Sequence, residues 1–491
     1  MTDNTLAPPT RLTRAARWWM ATPGGETLSA TGAQAASRLG CVSWAMFEGA
    51  RNPHVLLVTI YLFAPYFAQH IVGDPVKGQT LWGNVHTMTG LIISFTAPFL
   101  GAIADAGGRR KPWLVFFSTI LAAASFLLWH ATPGADETLL TFVVAILVIS
   151  FLSLDYTAVF HNSMLPAIAP PHRVASLSGL ALALGNGSGV LLLLFMLIAF
   201  ALPGVVDWPF VPAKPWFGID QSAHEHERLA GPIFAIWFIL FALPLFFFTP
   251  DVPKRKLGPL VAISRGVISL WRTVIGLHGY RNIALYLVAR MIYNDGKTAV
   301  LLFGGIYAAG VFHWEALSML VYGIVLSIFA TFGGVIGGWL DDKFGSKRAI
   351  LISIGGTMMG LLLSISMTPD SIFFYIPYDT AQPPVHSLPF FKTWPEIIYV
   401  ALVILIAIFI TAAYANSRTM LARMAPPEKM TEFFGLYALS GSATAWLAPF
   451  VVGRFTEWFE SQRIGMAAIL LMLGIGFAMM FFVKEERVKL A

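Results

Sequence analysis

The chain has 491 residues, of which 57% are apolar and only 12% charged, with a formal net charge of +6. Soluble domains carry about 25% charged residues, so this composition, with a mean hydropathy of +0.70, excludes an ordinary soluble protein and indicates a polytopic membrane protein. The single cysteine, Cys41, excludes an intramolecular disulfide.

Residues 1–39 are polar and hold Arg11, Arg14, Arg17 and Arg38, without the apolar core of a cleaved signal, and so read as a cytoplasmic tail. Trp18 and Trp19 among these arginines allow an alternative, a segment resting on the membrane surface. Apolar runs that reach the length of a membrane span, about 20 residues, follow in order. They lie at 41–70, 82–104, 112–131, 138–165, 174–202, 231–249, 282–309, 316–340, 348–367, 396–422, 432–453 and 465–483. The polar stretch 250–281 divides these twelve runs six and six. The expectation is an all-α membrane protein: one six-helix bundle over 40–249, a cytoplasmic linker over 250–281, a second bundle over 282–484 and a tail over 485–491.

Lysine and arginine bias sets orientation, because basic loops stay inside. With the N-terminus inside, inside segments hold 22 of the 32 basic residues and outside segments 6; Arg51, Arg290, Lys297 and Arg418 fall within spans. Both termini are therefore expected in the cytoplasm. The basic charge is topological and implies no nucleic-acid partner.

The halves repeat. "GAIADAGGRRK" (101–111) follows run 2 and "GWLDDKFGSKR" (338–348) follows run 8. Gly101 and Gly338, Asp105 and Asp342, and Gly108 and Gly345 coincide, and each copy ends in a basic pair, Arg109-Arg110 or Lys347-Arg348. "NSMLPAIAPP" (162–171) matches "RTMLARMAPP" (418–427) at one offset of 256. Two matches in the same order indicate a duplicated six-span unit. In each loop the glycines allow close helix approach. The aspartate is placed to cap a neighbouring helix and meet the basic cluster, a latch kept in one conformation and broken in another. A plain positive-inside loop is the alternative.

These loops resemble the hallmark of the major facilitator superfamily. More narrowly, "GAIADAGGRRKPW" (101–113), "ARMIYNDGKTAVLLFGGIYA" (289–308) and "SRTMLARMAPPEKMTEFFGLYALSGSATAWLAP" (417–449) resemble its vacuole-effluxer branch, the autophagy-related amino-acid effluxers and their bacterial relatives. In run 1, "FEGARN" (47–52) departs from that branch's tyrosine-aspartate-tryptophan-alanine-asparagine-serine pattern, with Glu48 in the aspartate's place. The resemblance implies two six-helix bundles whose spans 1, 4, 7 and 10 line a central cavity. It also implies an amino-acid-like solute.

Ionisable residues within spans gather on those four, with His86 in run 2 the exception and Asp105 and Glu432 at the membrane edge. Run 1 has Glu48, Arg51 and His54; run 4 has Asp155 and His161; run 7 has Arg290, Asp295 and Lys297; run 10 has Arg418. A charge at the bilayer centre costs at least about 2.5–3.5 kcal/mol, so such residues are expected to face water or one another. Glu48, Arg51 and His54 recur at i,i+3 and share a face, and Arg290, Asn294 and Lys297 share a stripe. Gly296 permits a local break that frees backbone groups to bind solute. Both signs of charge suit a zwitterion: Arg290 or Arg51 for a carboxylate, Asp295 or Glu48 for an ammonium, with Tyr293 and Trp44 packing the rest. Structural alternatives stand beside each assignment. Glu48–Arg51 and Asp295–Lys297 read equally as ion pairs, His54 and His161 as hydrogen-bonded core, Arg418 as a snorkelling side chain, and Tyr293-Asn294 as packing.

"HEHE" (224–227) lacks zincin spacing and reads as a solvated outside loop, so no metal is expected. "GLALALGNGSG" (179–189) follows no strand, so its glycines indicate close helix packing rather than a dinucleotide loop. No Walker loop is present, which excludes direct use of ATP. The expected activity is secondary active transport by alternating access, without a cofactor and coupled to H+, in a bacterial inner membrane. The partners are a small solute and lipid, with the chain a monomer. A drug exporter of the same fold and a non-transporting receptor are the alternatives; no catalytic constellation indicates an enzyme.

Overall fold

The computed structural model describes residues 19–22, 28–29, 31, 34–107, 109–170, 173–251, 279–426 and 430–485. Most of the expected linker, 252–278, lies outside them, as do most of the N-terminal tail, Gly108 and the side chain of Asp105.

Every apolar run falls on helix. The first is α1 (Arg38–Arg51) with an irregular continuation to Ile71, followed by α2 (Pro75–Gly107), α3 (Lys111–Leu127), α4 (Glu137–Ile168), α5 (Val174–Met196) and α6 (Ala230–Phe248). The second half contains α7 (Arg281–Phe312), α8 (Ala316–Phe344), α9 (Ser346–Ile365), α10 (Trp394–Met424), α11 (Met430–Ser442), α12 (Leu447–Trp458) and α13 (Gln462–Phe482). Among the described residues, nine helical stretches are long and apolar enough to cross a membrane. A two-stranded antiparallel hairpin, β1 (Ser371–Ile372) and β2 (Ile376–Pro377), lies in the α9–α10 loop.

Helix starts are set locally. Asp136 accepts from the Leu139 amide at 2.7 Å to open α4, and Thr393 with Glu396 forms a reciprocal capping box on α10. The outward surfaces are apolar: Phe247, Val335 and Phe482 are each more than 70% exposed, which suits acyl chains rather than water.

Two helical runs are broken. Pro53 has no N–H to give the carbonyl of Gly49, four residues earlier. That oxygen instead accepts from the indole of Trp237, at 3.1 Å. Beyond the break the chain continues in wide π turns, Val55–Tyr61 and Phe67–Ile71. The second break separates α11 from α12 at residues 443–446. Run 7, where Gly296 led us to expect a break, is instead continuous helix from Arg281 to Phe312. Gly296 serves contact: a Cβ there would sit 2.9 Å from Leu473 of α13.

The halves meet tightly at one end. A Cβ on Gly90 would fall 2.7 Å from the Trp446 backbone, and one on Gly305 would overlap the Ile60 carbonyl oxygen. Hydrogen bonds cross the seam here, Gln69 to the Ala309 carbonyl at 2.6 Å and Gln79 to Thr456 at 2.8 Å. At the opposite end Gly101, Gly179, Gly338 and Gly435 face open space. The halves are thus closed against each other at the end the basic-residue bias assigns to the outside.

Candidate solute-binding site

In the first half, the last turn of α1 presents Glu48 and Arg51, paired at 2.6 Å. The other Glu48 oxygen lies 3.7 Å from Nδ1 of His161, on α4. Two reciprocal bonds fix this contact. The Trp44 indole donates to the His161 carbonyl at 2.9 Å, and His161 Nε2 meets the Trp44 carbonyl at 2.8 Å with the rings stacked. A carbonyl only accepts, so Nε2 carries a proton, and Nδ1 is left facing the Glu48 carboxylate. Asp155 is exposed and close enough to Arg51 for their charges to interact. His54 differs from the expected shared face. It is fully buried, bonded to Ser150 at 2.8 Å and packed edge-on against Phe151 and Phe234, because the backbone leaves regular α geometry around Pro53.

In the second half, Arg290 is buried and spent on its own neighbours. Nη1 donates to the Tyr437 carbonyl and to Ser440, both at 2.7 Å, and the guanidinium lies 3.4 Å over the Tyr437 ring. Asp295 and Lys297 do not form the alternative ion pair, since residues two apart point to opposite sides of a helix. Lys297 is fully buried, with its ammonium 3.6 Å over Tyr414 and 5.3 Å from Tyr293. Its Nζ and Asp295 Oδ2 have no hydrogen-bond partner among the described residues. Tyr293 bonds Ser417 at 2.8 Å, Asn294 is buried, and Arg418 is exposed.

Between the halves lies a cavity of about 250 Å³, lined among others by Asn52, Tyr61, Asn186, Tyr322, Tyr399 and Tyr414. The expectation that charged side chains would line the pocket is corrected here: its wall is uncharged and mostly apolar, with a few Asn, Tyr, Ser and Thr side chains set among Val, Leu and Ile, and the charges stand at its margins. Asn52 follows Arg51 in sequence, and Tyr414 is the ring beneath Lys297. The glycine run of α5 packs closely at two of its four glycines, Gly185 against Glu48 and Asn52 and Gly189 against Leu56, while Gly179 and Gly187 face open space.

The latch also differs in detail. Asp342 is exposed; its neighbour Asp341 is the buried acid, gripped by Arg423 and bonded to Ser346. Gly345 has φ +83°, which a side chain would strain. Arg109 and Arg348 are exposed. The acids that cap the neighbouring helices come from elsewhere. Asp251 accepts from the Arg110 and Lys111 amides at the start of α3, and Glu485 from the Ser346 and Lys347 amides at the start of α9. Lys111 reaches the Phe246 carbonyl and Lys347 the Phe481 carbonyl, both at 2.8 Å. The repeat therefore extends to an acid just after each "FF" that ends a bundle, a signal present in the sequence and missed. These clasps join helices of one half to each other; they do not cross the seam.

"HEHE" is not a solvated loop. Glu225–Arg228 forms one helical turn, Glu227 and Arg228 are buried, and His224, with φ +55°, stacks at 3.8 Å on His70. The hydrogen bond that His224 Nδ1 donates to Glu227 holds the imidazole pKa above its ordinary value.

The family described as "Vacuole effluxer Atg22 like" matches residues 85–491. An uncharacterized MFS-type transporter of Bacillus subtilis, YxiO, is 21% identical over 447 residues, covering 90% of this chain and 94% of its own. Autophagy-related protein 22-1 of Aspergillus fumigatus is 21% identical over 277 residues, and the match spans 53% of this chain but only 43% of the fungal protein. Among solved structures, a D-xylose-proton symporter superposes with a TM-score of 0.60 at 13% identity, over 91% of this chain and 99% of the other.

Proposed function

Since the chain belongs to the vacuole effluxer Atg22-like family and has the major facilitator fold, it is a multi-pass membrane transporter and not an enzyme, and we propose that it moves a small zwitterionic metabolite of the amino-acid class by proton-coupled alternating access. The observation that carries this reading is Lys297, a fully buried side-chain amine with no hydrogen-bond partner among the described residues, held on a tyrosine of the central cavity. An unpaired buried cation is costly, and a solute carboxylate arriving through the cavity relieves it. Asp295, on the next face, offers its free oxygen to the solute ammonium. The cavity of about 250 Å³ is smaller than the roughly 300–1,000 Å³ of pockets for drug-sized ligands, which favours a metabolite over a drug.

Two acidic positions support coupling to H+. Glu48 and His161 Nδ1 face each other as two acceptors 3.7 Å apart, and one shared proton reconciles them. Asp295 is the second, alternating between paired and free forms as its surroundings switch. In this reading both termini are cytoplasmic, the membrane is a bacterial inner membrane and the working unit is a monomer.

The test is uptake of labelled amino acids into liposomes holding the purified chain, with and without a pH gradient. Saturable flux that is accelerated by the gradient in wild type and made gradient-independent by Asp295→Asn or Glu48→Gln is expected. Gradient-insensitive wild-type flux removes the coupling, and absence of flux or stabilisation by any amino acid removes the solute class.

A further inference from the structure

Three metal-ligating side chains meet at the closed end of the molecule. His70 comes from the last turn of the irregular stretch after α1, and His224 and Glu227 from the one-turn helix before α6 and its N-cap. One ligand atom from each lies within 4.8 Å of the other two. His224 Nδ1 and Glu227 Oε2, 2.6 Å apart, share a proton, and the His70 ring lies 3.8 Å from that of His224. His70 Nε2 is buried and has no hydrogen-bond partner among the described residues.

We propose that His70, His224 and Glu227 form a binding site for a divalent transition cation, Zn2+ being the best match. Two imidazoles and one carboxylate are a zinc ligand set that leaves a fourth position for water. The ion takes the place of the proton shared by His224 and Glu227, which passes to solvent. Ligand bonds of about 2.0–2.2 Å put donor atoms roughly 3.3–3.6 Å apart in a tetrahedron. The short His224–Glu227 gap therefore widens, and the His70 ring turns out of its stack to aim a nitrogen at the ion. The charge around the site suits a dication. Glu315, at the N-cap of α8 in the other half, is within electrostatic reach of both His224 and Glu227. The opposing cation, Arg228, is drawn aside by Glu225 at 3.3 Å and lies over Trp129.

The position gives the ion a role. Gln69, adjacent to His70, makes the 2.6 Å bond across the seam to Ala309. A bound ion fixes the end of the first span to the loop before α6, beside an acid of the second half, and so favours the conformation closed at this end.

Calorimetric titration of the full-length chain in detergent micelles with ZnCl2, against MgCl2 as control, tests the site. One Zn2+ per chain and a raised Tm are expected. His70→Asn, which keeps size and polarity, and His224→Ala should each weaken binding at least about ten-fold while eluting as monodisperse protein. His130→Ala, at an exposed histidine, should leave it unchanged. Wild-type protein without saturable zinc binding overturns the proposal, as does binding that survives both substitutions.

Discussion

Arg423 grips Asp341 with both ends of its guanidinium, Nη1 on Oδ1 at 2.9 Å and Nη2 on Oδ2 at 2.7 Å. The pair ties the last turn of α8 to that of α10, and removing one partner leaves a largely buried charge behind. Asp341→Asn should therefore cost about 1–3 kcal/mol of stability, while Asp342→Asn, at the exposed neighbour, should change it little. Thermal unfolding of the two variants in micelles decides this, and equal losses would refute the assignment.

Lys297→Met should separate stability from transport. Replacing an unpaired buried ammonium by an apolar side chain of similar length leaves the fold unharmed or raises its stability by about 1–2 kcal/mol, yet removes the solute carboxylate's partner. Flux and Tm measured on one preparation should move in opposite directions or flux alone should fall; retained flux excludes Lys297 from binding.

Gly305→Val should open the closed end, because any side chain there strikes the Ile60 carbonyl across the seam. A cysteine placed at buried Thr456, in a Cys41→Ser background, should then react faster with an aqueous maleimide. An unchanged labelling rate would mean the seam tolerates the extra bulk.

Exchanging Glu48 and Arg51 in one double variant preserves their attraction but reverses its direction toward the cavity. If the pair only steadies α1, transport survives. If it reads the solute or holds a proton with His161, the double variant folds with near-normal Tm and transports nothing; uptake beside a melting curve separates the two.

Sequence patterns disclosed the spans because lipid demands long apolar runs regardless of partners. They disclosed less where a third residue decides the matter. Gly296 looks like a break until Leu473 is placed against it. The "HEHE" run looks solvated until His70, from another element, stacks on it. Asp341 and Asp342 are indistinguishable by composition, and only the position of Arg423 chooses between them. Pro53 marks the break in the first span, but the i,i+3 spacing of Glu48, Arg51 and His54 reads straight through it, and Trp237, which satisfies the freed Gly49 carbonyl, does not announce itself. The cavity tyrosines escaped notice because a search for charge passes over neutral donors.

The acids at Asp251 and Glu485 have a bearing on how the chain is made. Each caps a helix that the ribosome releases early in its half, yet each emerges only after that half's last helix. During synthesis α3 and α9 wait with bare amide ends until the carboxylate arrives. A nascent chain halted before residue 251 lacks the group that caps α3, whereas one extended beyond it carries that carboxylate within its own half.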